Sequence, residues 1–321
     1  MFKMKGHVGK ATLAVIAILL FAAGAAFAAP MQLTLATGGT AGTYYPLGGA
    51  IGQILSTKTG LVNITAQSTG ASNENMNLIG MHDVDMAIVQ NDIAHYAYNG
   101  IEFFNTKNEN FSAMARIYPE LIQTVTNADS PINSVADFKG KKISVGAPGS
   151  GNEANVRQIT SVFALDYQSF EPHFLSYAET ADHFKDRLID AFMFTTGAPN
   201  SAIQDIATMH PLKFISIAGA DRDILMQKYP FFAAEVIPAN TYKGQPEAVE
   251  TVAVQAILIV HNSLPEDVVY AMTKALFENR AEIGQAHHKG NSIDPQRALD
   301  GITVPIHPGA QKYYKEIGLI K

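Results

Sequence analysis

This sequence predicts an α/β fold of about two domains, on three observations. Short apolar runs alternate with helix-spaced apolar positions along most of the chain, the order expected for parallel or mixed sheets covered on both faces. At 321 residues it divides into roughly two units of ~150. With 47% hydrophobic and 16% charged side chains it can bury real cores, which excludes a disordered, collagen-like or disulfide-stapled chain.

In chain order, residues 32–37 (QLTLAT) alternate and run into glycines, which predicts a first strand. Leu47, Ile51, Ile54 and Leu55 then repeat at helical spacing up to Lys58. Residues 63–67 read as a strand, 72–80 as a helix opened by a Ser/Asn cap, and 85–90 as a buried strand. A second block brings strands at 121–127 and 142–146, a helix through 154–164, a strand at 172–176 and a helix at 179–188. Strand 191–195, helix 200–208 and strand 212–217 complete it. The last block has strand 251–261 and a long amphipathic helix over 265–285. There Pro265 suits the first turn, and Val269, Met272, Leu276 and Ile283 make one apolar stripe. A helix at 308–317 closes the chain, and no repeat of solenoid period occurs.

The first 28 residues read as an address. Lys3, Lys5 and Lys10 precede an apolar run over residues 11–24, the triplet Ala26-Phe27-Ala28 follows, and Pro30 stops any helix. That is the layout of a secretory signal peptide cleaved near Ala28. As a retained anchor the run would span only ~21 Å of a ~30 Å hydrocarbon core. With no cysteine at the cleavage site, the expectation is an exported, free protein and not a lipoprotein.

Composition removes several classes of function. The formal net charge is −6, and it becomes −9 (20 basic against 29 acidic side chains) without the first 28 residues. So acidic a body is a poor polyanion binder, and nucleic acid is not an expected partner. The absence of cysteine excludes thiol catalysis, cysteine zinc sites and iron–sulfur clusters. The ten histidines, including the pair His287-His288, show no ligand spacing, so no metal ion is expected. The P-loop, G-x-S-x-G and H-E-x-x-H patterns are absent. Residues 149–154 do fit G-x-G-x-x-A after a strand. Their glycines begin three residues beyond Gly146, too late for the usual tight turn, and no dinucleotide or other cofactor is expected.

Two glycine-rich loops between a strand and a helix carry most of the functional information. The first offers Thr37, Gly38, Gly39, Thr40, Gly42, Thr43 and Tyr44; the second offers Ser150, Gly151 and Asn152. Glycines let a backbone approach a ligand closely, and the following helix presents unpaired N–H groups at a positive dipole end. Both loops suit a carboxylate or other small anion, although glycines also serve tight turns alone. Further polar positions fall at strand carboxyl ends, where open α/β sheets bind ligands. They are residues 67–72 including Ser72, then Gln90 and Asn91, and Thr195 and Thr196. Asp92 reads either as the partner of a ligand ammonium or as a helix cap, and Glu153 as a complement to a helix dipole. Only Arg116 and Arg157, among six arginines, lie near a loop or lobe junction, so an arginine clamp is not marked.

Five ordered motifs add a resemblance. Residues 37–46 (TGGTAGTYYP), 89–92 (VQND), 136–144 (ADFKGKKIS), 145–158 (VGAPGSGNEANVRQ) and 306–314 (IHPGAQKYY) are similar to successive signatures of the TAXI family. These are the solute receptors of one branch of the tripartite ATP-independent periplasmic (TRAP) transporters, and the resemblance runs from about residue 33 to 314. It implies a periplasmic, two-lobed binding-protein fold of type II that closes on one solute, with loops 37–44, 90–91, 150–152 and 195–197 lining the cleft. Glutamate, glutamine or another small carboxylate is the implied solute, a membrane permease driven by ions the implied partner, and a monomer without a clamp arginine the implied form.

Lobe I is then expected at residues 29–117 plus 257–321 and lobe II at 118–256, with hinges near 116–120 and 252–256. A subunit presenting solute to a membrane kinase would use the same ligand-gated surface. An exported enzyme using the same cleft also stays open, although no nucleophile–base pairing stands out. Neither chain length nor chirality of the solute follows from the residues.

Overall fold

A computed structural model describes residues 29–321. The signal peptide expected from the sequence lies outside the described residues. The first block runs β1 (Met31–Ala36), α1 (Tyr44–Thr59), β2 (Val62–Gln67), α2 (Ser72–Met81), β3 (Met86–Gln90) and α3 (Asn91–Asn99). β1 pairs in parallel with both β2 and β3, so each crossover carries a helix over the sheet. β4 (Phe111–Asn127) then leads out of this block. It is followed by β5 (Lys142–Ser144), α4 (Gly151–Val162), β6 (Glu171–His173), α5 (Tyr177–Lys185), β7 (Ala191–Thr196) and α6 (Ser201–Met209). β8 (Leu212–Ile215), α7 (Gly219–Lys228) and β9 (Ala233–Ile237) complete that part. The chain returns along β10 (Val249–His261), after which α8 (Glu266–Glu278), α9 (Arg280–Ala286) and α10 (Pro308–Glu316) cover the first block.

The strands form one mixed sheet in the order β2-β1-β3-β10-β4-β7-β5-β6, with β8 beside β4 and β9 beside β10. β10 is antiparallel to β3 and to β4. These long strands join two lobes with separate cores. Met114, Ala115, Ile117 and Tyr118 of β4 pack with Leu47, Ile51 and Met272. Ile122, three positions beyond Pro119, packs instead with Phe138, Val156 and Phe170. β10 changes core likewise, between Val254 and Ala256. The ladder between the two strands slips in register between Ala256 and Ile257 and again between Leu258 and Ile259. Pro119 offers no ladder N–H and a bulge bends its strand, so the two lobes join where the sheet is least regular.

The α/β prediction and the mixed sheet hold. β4 is longer than the predicted strand, beginning at Phe111, because Arg116, Pro119 and Glu120 interrupt its apolar pattern in sequence. α3 starts at Asn91 with no loop after β3, which hid it behind a polar stretch. α7 and β9 were not anticipated. The long helix predicted over 265–285 breaks at Asn279 (φ −110°, ψ 19°) into α8 and α9. Among the described residues no helix is long and apolar enough to cross a membrane.

Candidate functional site

The carboxyl ends of the strands from both lobes face one another across a cavity of about 260 Å³. The first lobe contributes residues 38–44 between β1 and α1, residues 68–72 between β2 and α2, and Gln90 at the end of β3. Ala147, residues 150–152, residues 176–178 and Thr195 and Thr196 come from the second. Tyr118 and Glu120 of β4 complete the wall at the junction. Four helices therefore begin on this cavity, at Tyr44, Ser72, Gly151 and Tyr177. Their first-turn N–H groups and dipole ends favour a ligand with negative charge.

Each wall segment is pinned by its own side chains. Ser150 caps α4 by accepting from Glu153 N at 3.1 Å. Asn152 donates to the carbonyls of Val145 (2.8 Å) and Met193 (2.9 Å) and accepts from Thr195 N, which fastens the start of α4 to β5 and β7. Ser72 accepts from Gln90 N at 3.1 Å. The Tyr177 hydroxyl donates to Thr195 O at 2.8 Å, while its ring stacks on Phe194. Ala71 sits at φ 75°, which costs a non-glycine residue on the order of 1–3 kcal/mol. Its N–H donates to Thr69 Oγ1, so the strained turn is held at the cavity edge.

Electrostatically the cavity is polarised. Among the described residues Glu120 is the only acidic side chain that lines it, and no lysine, arginine or histidine does. Burial pushes the Glu120 carboxyl well above the usual carboxylate range, and the Tyr44 hydroxyl, donating to it at 2.5 Å, opposes that only in part. Burial, with Glu120 next in effect, also raises Tyr44, Tyr118 and Tyr177, which stay neutral. Three buried polar atoms of the wall have no partner in the protein: Gln90 Oε1, Tyr118 Oη and Thr195 Oγ1. Among the described residues no group of three or more metal-ligating side chains occurs.

Most residues expected from the two loops and strand ends line this cavity, with two corrections. Thr37 is fully buried behind it: Oγ1 donates to Gln67 O at 2.6 Å, tying β1 to β2. Asn91 instead bridges to the far end of the chain, donating to Gly301 O and accepting from Gln255 N, both at 2.9 Å. Arg116 also lies off the cavity, donating to Gln255 Oε1 at 2.8 Å, and Arg157 pairs with Glu153. Sequence reading missed Tyr118, Glu120 and residues 176–178. An isolated acid inside the apolar run IYPELI was the available sign of Glu120, since glutamate is rarely buried without a reason.

A family model matches this chain over residues 35–318. The chain belongs to the NMT1-like family. The NMT1-like chain is similar in structure to a binding-protein component of an ABC phosphonate transporter from Pseudomonas aeruginosa. That match has TM-score 0.53 and 14% identity, covering 81% of this chain and 79% of the other. A putative L-cystine ABC transporter protein from Listeria monocytogenes matches at TM-score 0.52 and 13% identity, over 81% and 95% of the two chains. A Xanthomonas citri protein solved with chloride ion matches at TM-score 0.52 and 11% identity, over 89% and 99%. At such identities the likeness shows the fold alone, two α/β lobes on either side of a cleft.

In this NMT1-like protein side chains of the two lobes meet beside the cavity. Thr43 and Thr196 hydroxyls meet at 3.0 Å, and Gln158 donates to Tyr96 Oη at 3.0 Å. Gln90 Nε2 donates to Asn155 Oδ1 at 3.1 Å, and Asn155 Nδ2 donates to Asp92 Oδ2 at 2.9 Å. Asp92 thus faces the other lobe instead of the cavity. Burial pushes its carboxyl up to about 6 from an ordinary 3.8, against hydrogen bonds from Ile93 and Asn155. Because the folded value exceeds the unfolded one, the folded form holds this proton more tightly. That stabilisation is complete below about pH 4 and lost as pH rises through about 6. The difference is about 3 kcal/mol at neutral pH. Asp92→Asn is expected to remove this slope from urea-unfolding profiles taken between pH 4 and 7. A slope that survives in the variant would assign the effect to other groups.

Proposed function

We propose that this chain is a periplasmic solute receptor, exported by a signal peptide cleaved near Ala28. It captures a small carboxylate or amino acid, glutamate- or glutamine-like, and delivers it to the ion-driven permease of a TRAP transporter. The observation that carries the reading is one cavity whose wall is built by both lobes and by four helix N-termini. A ligand that touches both lobes at once stabilises the closed form, which is how binding becomes a docking signal. Residues 29–117 with 257–321 act as lobe I and 118–256 as lobe II, hinged where β4 and β10 change core. The receptor works as a monomer and is not an enzyme: Ser150, Asn152 and Tyr177 are committed to holding backbone, and among the described residues no histidine lines the cavity to act as a base.

The TAXI-like motifs support the TRAP branch. The P. aeruginosa and L. monocytogenes proteins, whose names place them in ABC systems, support the receptor role in general. Residues 29–321, unfolded and refolded to strip co-purified solute, are to be screened by thermal shift against amino acids and organic acids. A true ligand at ~100 times its Kd adds about 2.7 kcal/mol. It is also expected to shrink the radius of gyration in small-angle scattering. A stabilising ligand that leaves the radius unchanged would sink the hinge. Uptake in vesicles that follows an ion gradient without ATP supports the TRAP partner, and ATP-dependent uptake overturns it.

A further inference from the structure

We propose that Glu120 selects the ligand by charge, holding the protonated amine of a small zwitterion as a carboxylate, so that the deaminated acid of the same shape is rejected. This deepens the receptor reading above and rests on it. The observation behind it is the isolation of Glu120. It is 3% exposed and lines the cavity with no basic side chain beside it, its hydrogen bond coming from the neutral Tyr44 hydroxyl. An ionised carboxylate left there unpaired is strongly unfavourable, so Glu120 ionises only when a counter-charge arrives, which a ligand ammonium supplies.

Gln90 does not compete for this role: it is 2% exposed, spends its amide N–H on Asn155, and keeps Oε1 buried against Gly151. The cavity thus presents one acceptor that the protein under-supplies with donors, the Glu120 carboxylate. An ammonium carries three donors and a positive charge and serves that carboxylate on both counts. A hydroxy acid offers one neutral O–H in its place, and a keto acid offers none. The helix starts at Ser72, Gly151 and Tyr177 line the same cavity and suit the anionic group of such a molecule. A protonated Glu120 donating to an anionic ligand is the competing arrangement, and it predicts no preference for the amine.

The test pairs each amino acid with its deaminated counterpart, beginning with glutamate against 2-hydroxyglutarate and 2-oxoglutarate. Titration calorimetry is run on refolded residues 29–321, wild type and Glu120→Gln. Glutamine at this position keeps the shape and can still accept from Tyr44. Wild type is expected to bind the amine-bearing member of a pair at least 100-fold more tightly. Glu120→Gln is expected to lose that preference with its unliganded melting temperature little changed. Glu120→Asp, which restores the charge on a shorter arm, is expected to recover the preference at reduced affinity. A wild type that binds the deaminated partner equally well, or a Glu120→Gln variant that keeps the preference, overturns the role of Glu120 while leaving the receptor standing. No binding by either member of any pair overturns the receptor reading for small carboxylates, and this inference with it.

Discussion

Replacing Gly151 by valine is expected to hold the lobes apart and to weaken ligand binding by about 100-fold, with little change in melting temperature. Gly151 opens α4 and passes directly under the Gln90 side chain of the other lobe. A Cβ at this position would overlap Gln90 Oε1 and Cδ and stand 3.1 Å from Nε2. Gln90 has little room to yield, being buried and held through Nε2 by Asn155 and through its backbone N–H by Ser72. Overpacking of this kind raises the closed form by about 1–3 kcal/mol, and near the upper end that is about two decades of affinity. The open form has no such clash, and neither lobe's own core is touched. Scattering should therefore show no compaction at ligand concentrations that saturate the wild type. A valine variant that closes normally would mean that Gln90 swings aside, and the cross-lobe contact at Gly151 would lose its assigned part in closure.

Gly309→Ala is expected to have the opposite profile, a large loss of stability with the binding site intact. Gly309 is the second residue of α10 and lies against the first turn of α8. An added Cβ would overlap Glu266 O, and it would stand 2.6 Å from Tyr270 N and 3.0 Å from Val269 Cβ. Backbone atoms cannot rotate away, so the helices must part, and the stacked Phe277 and Tyr313 rings, 5.8 Å apart, part with them. The expected destabilisation is about 3 kcal/mol, a fall in Tm on the order of 10 °C. Differential scanning calorimetry checks it, and affinity below the transition should match wild type. An unchanged Tm would show that α10 is not held where the packing places it.

Much of the fold was legible because its causes are local. The run at β3 is buried at every position and reads as a buried strand without any knowledge of its neighbours. Ser150 before α4 and Pro265 before α8 mark helix starts through their own side chains or φ angles. The glycine loops at 38–42 and 149–151 announce close approach to something. The first half of β4 was hidden for the converse reason. Arg116 is tolerated there because Gln255, 139 positions away, accepts from it, and Glu120 because Tyr44, 76 positions away, donates to it. Thr37 and Asn91 looked like ligand residues because they sit at strand ends. Their partners, 30 and up to 210 positions distant, turn them into struts.

Periodicity, caps and turn chemistry thus established the α/β class, most element positions and the two loops that would face a ligand, because each depends on side chains within a turn or two of one another. Which faces oppose across the cleft, and which polar atoms stay unpaired inside it, followed from packing. A carboxyl becomes a selector only when distant segments bury it and withhold a cation, and Glu120 is exposed to that environment solely by the meeting of both lobes at β4.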